Sequence, residues 1–275
     1  PNGTTPPGAE SPAGTPKPDA TGANPAGGPA AKPEAKPAPK DTRPNPASVS
    51  AIQQLSQIDR MRLMAAVSAA AYCGDGSACG VIEQYRDASR TLGNGFKLDG
   101  WKIAFLSARN SFLDIEGYAF YRPDAQDVIV AFRGSESDLS QGAINDWINV
   151  NARINGKYFG GTKISGVVHE GFLEAMYGVW HPNDTGLIKV INEANLRGKT
   201  FWVTGHSQGA ALATLIAMRF VEDNLKVQGV YAYGMPRLAS YEFQASYNRV
   251  LGAQTFVFAN RQDPIPHLPP QFTSV

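Results

Sequence analysis

The stretch "VTGHSQGAALATLIA", residues 203–217, carries a short β-rich run into Gly-His-Ser-Gln-Gly and then into an alanine- and leucine-rich helix. A lone Gly-x-Ser-x-Gly string is weak evidence in a glycine-rich chain, but the context here is specific. A buried strand feeds a sharp turn, glycines stand at 205 and 209 where side chains would clash, and a helix starts at the serine. Together these describe a strained elbow that lifts the Ser207 hydroxyl out of a sheet. The helix N-terminus beneath it presents free N–H groups and positive potential to a developing oxyanion. A serine that merely caps a helix in a tight turn needs no glycine on both sides. Ser207 is therefore a candidate nucleophile.

Outward from the elbow the second half of the chain alternates. Strands are expected at "TFWVTG", "VQGVYAYG" and "QTFVFAN", and helices over residues 207–221 and 241–250. That alternation predicts an α/β protein with a mostly parallel central sheet and helices on both faces. Sites in such sheets lie beyond the carboxyl ends of strands, where Ser207, residues 234–237 and Asp263 should gather. Upstream, "WKIAFLSA", "IEGYAFYR" and "DVIVAFRG" read as further strands. Residues 128–132 lack alternation, as expected of a central strand covered on both faces. "VVHEGFLEAMYGVW" reads as a helix, and another is expected over 184–196, capped by Asp184 or Thr185 and stopped by "RG". A covering helix is expected in "SVSAIQQLSQIDRMRLMAAVSAAAYC", with Ile52, Leu55, Ile58, Met61 and Leu63 or Met64 at helical spacing and Ser48 or Ser50 as N-cap.

Residues 1–46 are dominated by Pro, Ala, Gly, Thr and Lys, with no aromatic residue and no Val, Ile, Leu or Met. Such a segment cannot build a core and reads as a disordered, Pro-stiffened tether. Residues 47–275 suffice for one domain with a substantial core. The 25 basic and 24 acidic residues leave a net charge of +1 without a basic cluster, which argues against nucleic acid as a partner. No run approaches the roughly 20 apolar residues of a membrane-spanning helix. The chain opens at Pro1 with no initiator Met and no signal-peptide core, so it reads as a processed product or an excised fragment. Cys73 and Cys79 flank a Gly- and Asp-containing loop in "YCGDGSACG", and a disulfide between them is expected. That bridge fits an oxidising compartment, hence secretion or association with a cell envelope. Their spacing has no nearby His or third Cys to complete a zinc site, and no metal or other cofactor is expected.

Six motifs, "VIVAFRGS", "INDWINV", "VHEGF", "VTGHSQGAALATLIA", "YAYGMPRL" and "NRQDPIPHLPP", follow one another in the order found in class 3 lipases, the fungal-type triacylglycerol lipase family with an α/β-hydrolase fold. The chain resembles that family from about Ala65 onward. The resemblance implies a serine ester hydrolase of lipids with Ser207 as nucleophile and Asp263 as the carboxylate orienting the base. It also implies an oxyanion hole from Ser135 and the Gln208 N–H, and a lid over residues 136–151 carrying Ile144, Trp147 and Ile148. Family members usually show Gly-His-Ser-Leu-Gly-Gly, so Gln208 and Ala210 are departures. A phospholipase A1 or feruloyl-type esterase, or a non-catalytic acyl- or partner-binding protein, are the alternatives. Chain length, head group and oligomeric state are not legible.

The general base is the missing part. Four histidines occur, at 169, 181, 206 and 267. His206 should point away from Ser207 around the turn, His169 sits in a structural motif, and His181 precedes a proline at a helix boundary. His267 is near Asp263 in sequence, but Pro264, Pro266, Pro269 and Pro270 are expected to hold that segment extended, which separates the two by on the order of 12 Å. The resembled family takes its base from a later position. The expectation is therefore that the parent protein continues past Val275, that its catalytic His lies there, and that the fold is truncated at its C-terminal end.

Overall fold

The computed structural model describes residues 49–73, 78–93, 95–109, 114–135, 155–181 and 186–268. The chain divides into residues Pro1–Arg43 and Pro44–Val275, and all of the described structure lies in the second unit. In chain order the elements are α1 (Gln57–Ala70), α2 (Ala78–Leu92), β1 (Lys102–Arg109), β2 (Asp114–Tyr121), β3 (Asp127–Phe132), β4 (Gly156–Gly160) and β5 (Ser165–His169). They continue with α3 (Glu170–Trp180), α4 (Leu187–Glu193), β6 (Thr200–His206), α5 (Gln208–Glu222), β7 (Lys226–Tyr233), α6 (Tyr241–Leu251) and β8 (Thr255–Phe258).

Six strands form one mixed sheet in the order β1-β2-β3-β6-β7-β8. β2 runs antiparallel to both its neighbours, whereas β3, β6, β7 and β8 pair in parallel. Parallel strands need crossovers that cover the sheet, so both faces are buried. Every residue of β3 is buried, as its unalternating sequence predicts. Its pleat sends Val128, Val130 and Phe132 to one face, where they pack with α3 and α5, and Ile129 and Ala131 to the other, beneath α1. α5 is apolar around most of its circumference, with twelve of its residues buried. It therefore lies inside the molecule as a core helix.

Several boundaries differ from the sequence reading. α1 begins at Gln57, capped by Ser56, whose hydroxyl accepts from the Asp59 N–H (3.1 Å). Ser48 lies outside the described residues and Ser50 is drawn elsewhere. "VVH" closes strand β5 and only "EGFLEAMYGVW" is helical, because His169 pairs across to Gly156. α4 starts at Leu187 behind Gly186, and Asp184 and Thr185 lie outside the described residues. α2 and the small β4-β5 sheet carry no counterpart in the sequence reading. Cys73 Sγ lies 3.3 Å from Tyr118 Oη, and the side chain of Cys79, with the expected disulfide, lies outside the described residues. Among the described residues no helix is long and apolar enough to cross a membrane.

The short stretch ahead of α1, residues 50–52, is fastened to the sheet by a buried carboxylate. Asp127, 1% exposed at the start of β3, accepts from the Ser50 hydroxyl (2.5 Å), the Ile52 N–H (3.1 Å) and the Trp202 indole N–H (2.8 Å). α1 is then held over the far ends of the strands. The Met64 carbonyl accepts from Thr204 Oγ1 (3.1 Å) and the Met61 carbonyl from Tyr233 Oη (2.6 Å). Removing a carboxylate that satisfies three donors strands all three out of water, at about 1–3 kcal/mol each. Asp127→Ala should therefore lower unfolding stability by about 3 kcal/mol or more in a urea titration. A loss below about 1 kcal/mol would show that the anchor is dispensable.

Candidate functional site

The elbow has the geometry that its glycines suggest. Ser207 sits between the carboxyl end of β6 and the first turn of α5 at φ 55°, ψ −126°, in positive-φ space that side chains of L-residues rarely occupy. The turn is closed by the Ser207 N–H donating to Tyr233 O (2.9 Å) and the Ala210 N–H donating to Ser207 O (2.9 Å). A Cβ on Gly209 would meet the Phe132 carbonyl and stand 2.8 Å from Arg133 O, and one on Gly205 would stand 2.8 Å from Ala210 N. The two glycines thus let α5 approach β6 and the end of β3 at backbone contact. Ser207 is half-buried, and among the described residues no hydrogen bond engages its Oγ.

Ser135 and Gln208 come together across this contact. Ser135 extends β3 beyond Arg133 and Gly134, and its hydroxyl donates to Gln208 Oε1 (3.0 Å). Gln208 is 4% exposed and is the first residue of α5, so its backbone N–H belongs to the unpaired first turn. Arg133 anchors the strand end from behind. Its guanidinium meets Glu116 at 2.8 Å with both side chains buried, and its N–H donates to Glu116 O (3.0 Å).

Asp263 reaches the same sheet edge from beyond β8. Gly234, at φ 57°, donates its N–H to Phe258 O (2.7 Å), and a Cβ on it would lie 2.8 Å from Asp263 Oδ2 and 3.4 Å from His206 Nε2. The bare Cα of Gly234 therefore leaves room for the carboxylate and the imidazole together. Asp263 Oδ1 accepts from the Ile265 N–H (2.9 Å). The following segment is not extended as its prolines suggest. Residues Ile265–His267 form a 3-10 turn, with Pro264 at φ −73°, ψ −21°. Proline fixes φ and leaves ψ free, so four nearby prolines do not compel an extended chain. The turn is held by Arg237, whose N–H donates to Leu268 O (2.7 Å) and whose guanidinium donates to His267 O (2.8 Å).

None of the four histidines bonds to Ser207 or Asp263 among the described residues. His169 is 1% exposed at the start of α3, its ring edge-on to Phe172 at 6.2 Å. His181 closes α3 beside Tyr177. His267 is exposed on the 3-10 turn. His206 is exposed and meets Tyr72, whose hydroxyl lies 2.7 Å from its Nδ1. Loss of water around the ring holds the His206 pKa below the ordinary histidine value, and the Asp263 charge opposes this. Tyr72 had no signal in the sequence, since it approaches the elbow from 134 residues away. The lid candidates Ile144, Trp147 and Ile148 lie outside the described residues. Among the described residues no group of three or more His, Cys, Asp or Glu is arranged to hold a metal ion.

Known proteins match both the sequence and the fold. The family model described as lipase (class 3) matches residues 129–273, more than half of the chain. A Caenorhabditis elegans lipase is 28% identical over 214 residues, covering 76% of this chain and 54% of that protein. Secreted mono- and diacylglycerol lipase 1 of Fusarium solani is 32% identical over 151 residues, covering 53% of this chain and 40% of the relative. The chain thus spans about half or less of the length of these curated relatives. Among solved structures, M37 lipase superposes with a TM-score of 0.58 at 18% identity, covering 77% of this chain and 70% of that one, a likeness of fold. The matched stretch runs from within β3 to beyond Asp263 and encloses the whole elbow, so the chain belongs to the class 3 lipase family of the α/β-hydrolase superfamily.

Proposed function

We propose that this protein hydrolyses carboxylic esters of lipids through an acyl-enzyme on Ser207. The observation that carries the proposal is the strained backbone of Ser207 at the junction of β6 and α5, with Asp263 on the same sheet edge. Strain of this kind is worth about 1–3 kcal/mol and persists only where the surroundings enforce it. The names of the relatives, lipases and secreted mono- and diacylglycerol lipases, favour glycerolipid acyl esters as substrates and a secreted protein.

In this reading the Ser207 Oγ attacks the ester carbonyl carbon while its proton passes to a base. The carbonyl oxygen becomes an oxyanion held by the Gln208 N–H and by Ser135, donors worth about 3 kcal/mol each. In the ground state the Ser135 hydroxyl donates to Gln208 Oε1, so this reading takes the Ser135 N–H as the first donor to the oxyanion. Collapse of the adduct breaks the bond to the alkoxy oxygen, which leaves as an alcohol with the proton from the base. Water then attacks the acyl-serine, its proton goes to the base, and carboxylic acid leaves as Oγ is reprotonated. Asp263 orients the base and stabilises its cationic form. No organic cofactor or metal takes part in this sequence of steps.

Ser207→Ala should reduce hydrolysis of a soluble nitrophenyl ester by several orders of magnitude without lowering the melting temperature, because only an unbonded oxygen is lost. Activity retained in this variant would end the reading. Replacing each of the four histidines by alanine in turn locates the base: the variant that removes it should hydrolyse the ester about 10⁴-fold or more slowly than the unsubstituted protein. Loss of that size in His267→Ala alone would assign the base to His267.

A further inference from the structure

Tyr72 stands where three parts of the site meet. It leaves α1 through the 3-10 turn Ala71–Cys73, and α1 is itself pinned to the ends of β6 and β7 by the Met64 and Met61 carbonyls. Its hydroxyl lies 2.7 Å from His206 Nδ1, with the two rings tilted 5.9 Å apart. The same hydroxyl lies against Gly134, the residue before Ser135. A Cβ on Gly134 would collide with that hydroxyl and stand 2.7 Å from His206 O and 3.1 Å from Ser207 Cβ. The end of β3, the elbow and Tyr72 are thus in mutual contact.

The protonation of these groups sets what they can do. A phenol has one proton to donate and accepts elsewhere. Burial raises the Tyr72 pKa, against the Gly134 N–H and the Arg133 charge, so the phenol is protonated at neutral pH. Either atom could donate across the 2.7 Å contact with His206 Nδ1, and the imidazole tautomer decides which; the relay below takes Tyr72 as the donor. A neutral imidazole that accepts at Nδ1 carries its proton on Nε2. His206 Nε2 and Asp263 Oδ2 both lie beside Gly234, near enough for the carboxylate charge to be felt at the ring.

We propose, on the serine-hydrolase reading above, that Tyr72 and His206 form a positioning relay that holds the oxyanion segment at Gly134 in register with the carboxylate Asp263. Neither residue exchanges a proton with the substrate. Tyr72 fixes the distance between Gly134 and the elbow and fixes the tautomer of His206. His206 in turn directs an N–H toward Asp263, whose other oxygen is already held by the Ile265 N–H. The relay acts on alignment, so its loss lowers turnover more than substrate affinity.

The test uses the natural full-length protein, with long-range ¹H–¹⁵N NMR of the histidines at pH 8 and turnover of a soluble nitrophenyl ester. Wild type should show His206 with its proton on Nε2. Tyr72→Phe should erase that preference and lower kcat about tenfold with KM changed less than about twofold. Tyr72→Phe combined with His206→Leu should lose little more than either change alone, as expected of two groups acting as one unit. A wild-type Nδ1–H tautomer, unchanged tautomer and kcat in Tyr72→Phe, or strictly additive losses would overturn the relay. A wild-type protein that turns over no ester sinks the hydrolase reading instead, while the tautomer of His206 still decides whether Tyr72 holds it.

Discussion

Ser207 is held at φ 55°, and the arrangement of the surrounding layers follows from enforcing that one unfavourable backbone conformation. The turn is possible only if α5 can press its first residues against β6 and the end of β3, which is why positions 205 and 209 have no side chain. The force behind that approach is burial. Leu212, Leu215, Ile216, Met218 and Phe220 of α5 are fully shielded from water, and burying a side chain of this size contributes about 1.5–3 kcal/mol. A few such residues outweigh the strain at the elbow. The core therefore stabilises a conformation that exposes one hydroxyl.

The two faces of the sheet serve the site differently. The α3 and α5 face supplies the packing that drives α5 into the elbow. The α1 face supplies alignment through polar contacts: the buried Asp127 at one end of the sheet, and the Met61 and Met64 carbonyls and the half-buried Tyr72 at the other. Such groups are costly to leave unpaired, so each fixes a position that apolar contacts alone would leave free to slide. The covering helix expected from the sequence is thus also the support on which Tyr72 reaches the elbow.

What could be read from the sequence was what depends on neighbours along the chain. The strand–helix alternation from Thr200 onward, the fully buried β3 and the glycine-flanked serine carry local signatures, and the structure has each of them. What was illegible depends on partners far away. Ser50 has the chemistry of an N-cap but gives its hydroxyl to Asp127, 77 residues on, and Ser56 caps the helix instead. Ile58 fits the helical stripe yet is 59% exposed, whereas Ile52, outside the helix, is fully buried. β4 is too short and too exposed to alternate visibly. The Tyr72–His206 contact and the proximity of His206 to Asp263 exist only once the sheet is assembled.

The central claim is that the strained serine, among all the hydroxyls of the chain, is the reactive one. It is tested most directly by treating the natural full-length protein with a serine-directed alkyl phosphonate and mapping the adduct by peptide mass. The account predicts a single adduct on the peptide that carries Ser207, formed in one-to-one proportion with loss of ester hydrolysis. An adduct on any other serine, or complete inhibition with Ser207 unmodified, would contradict it.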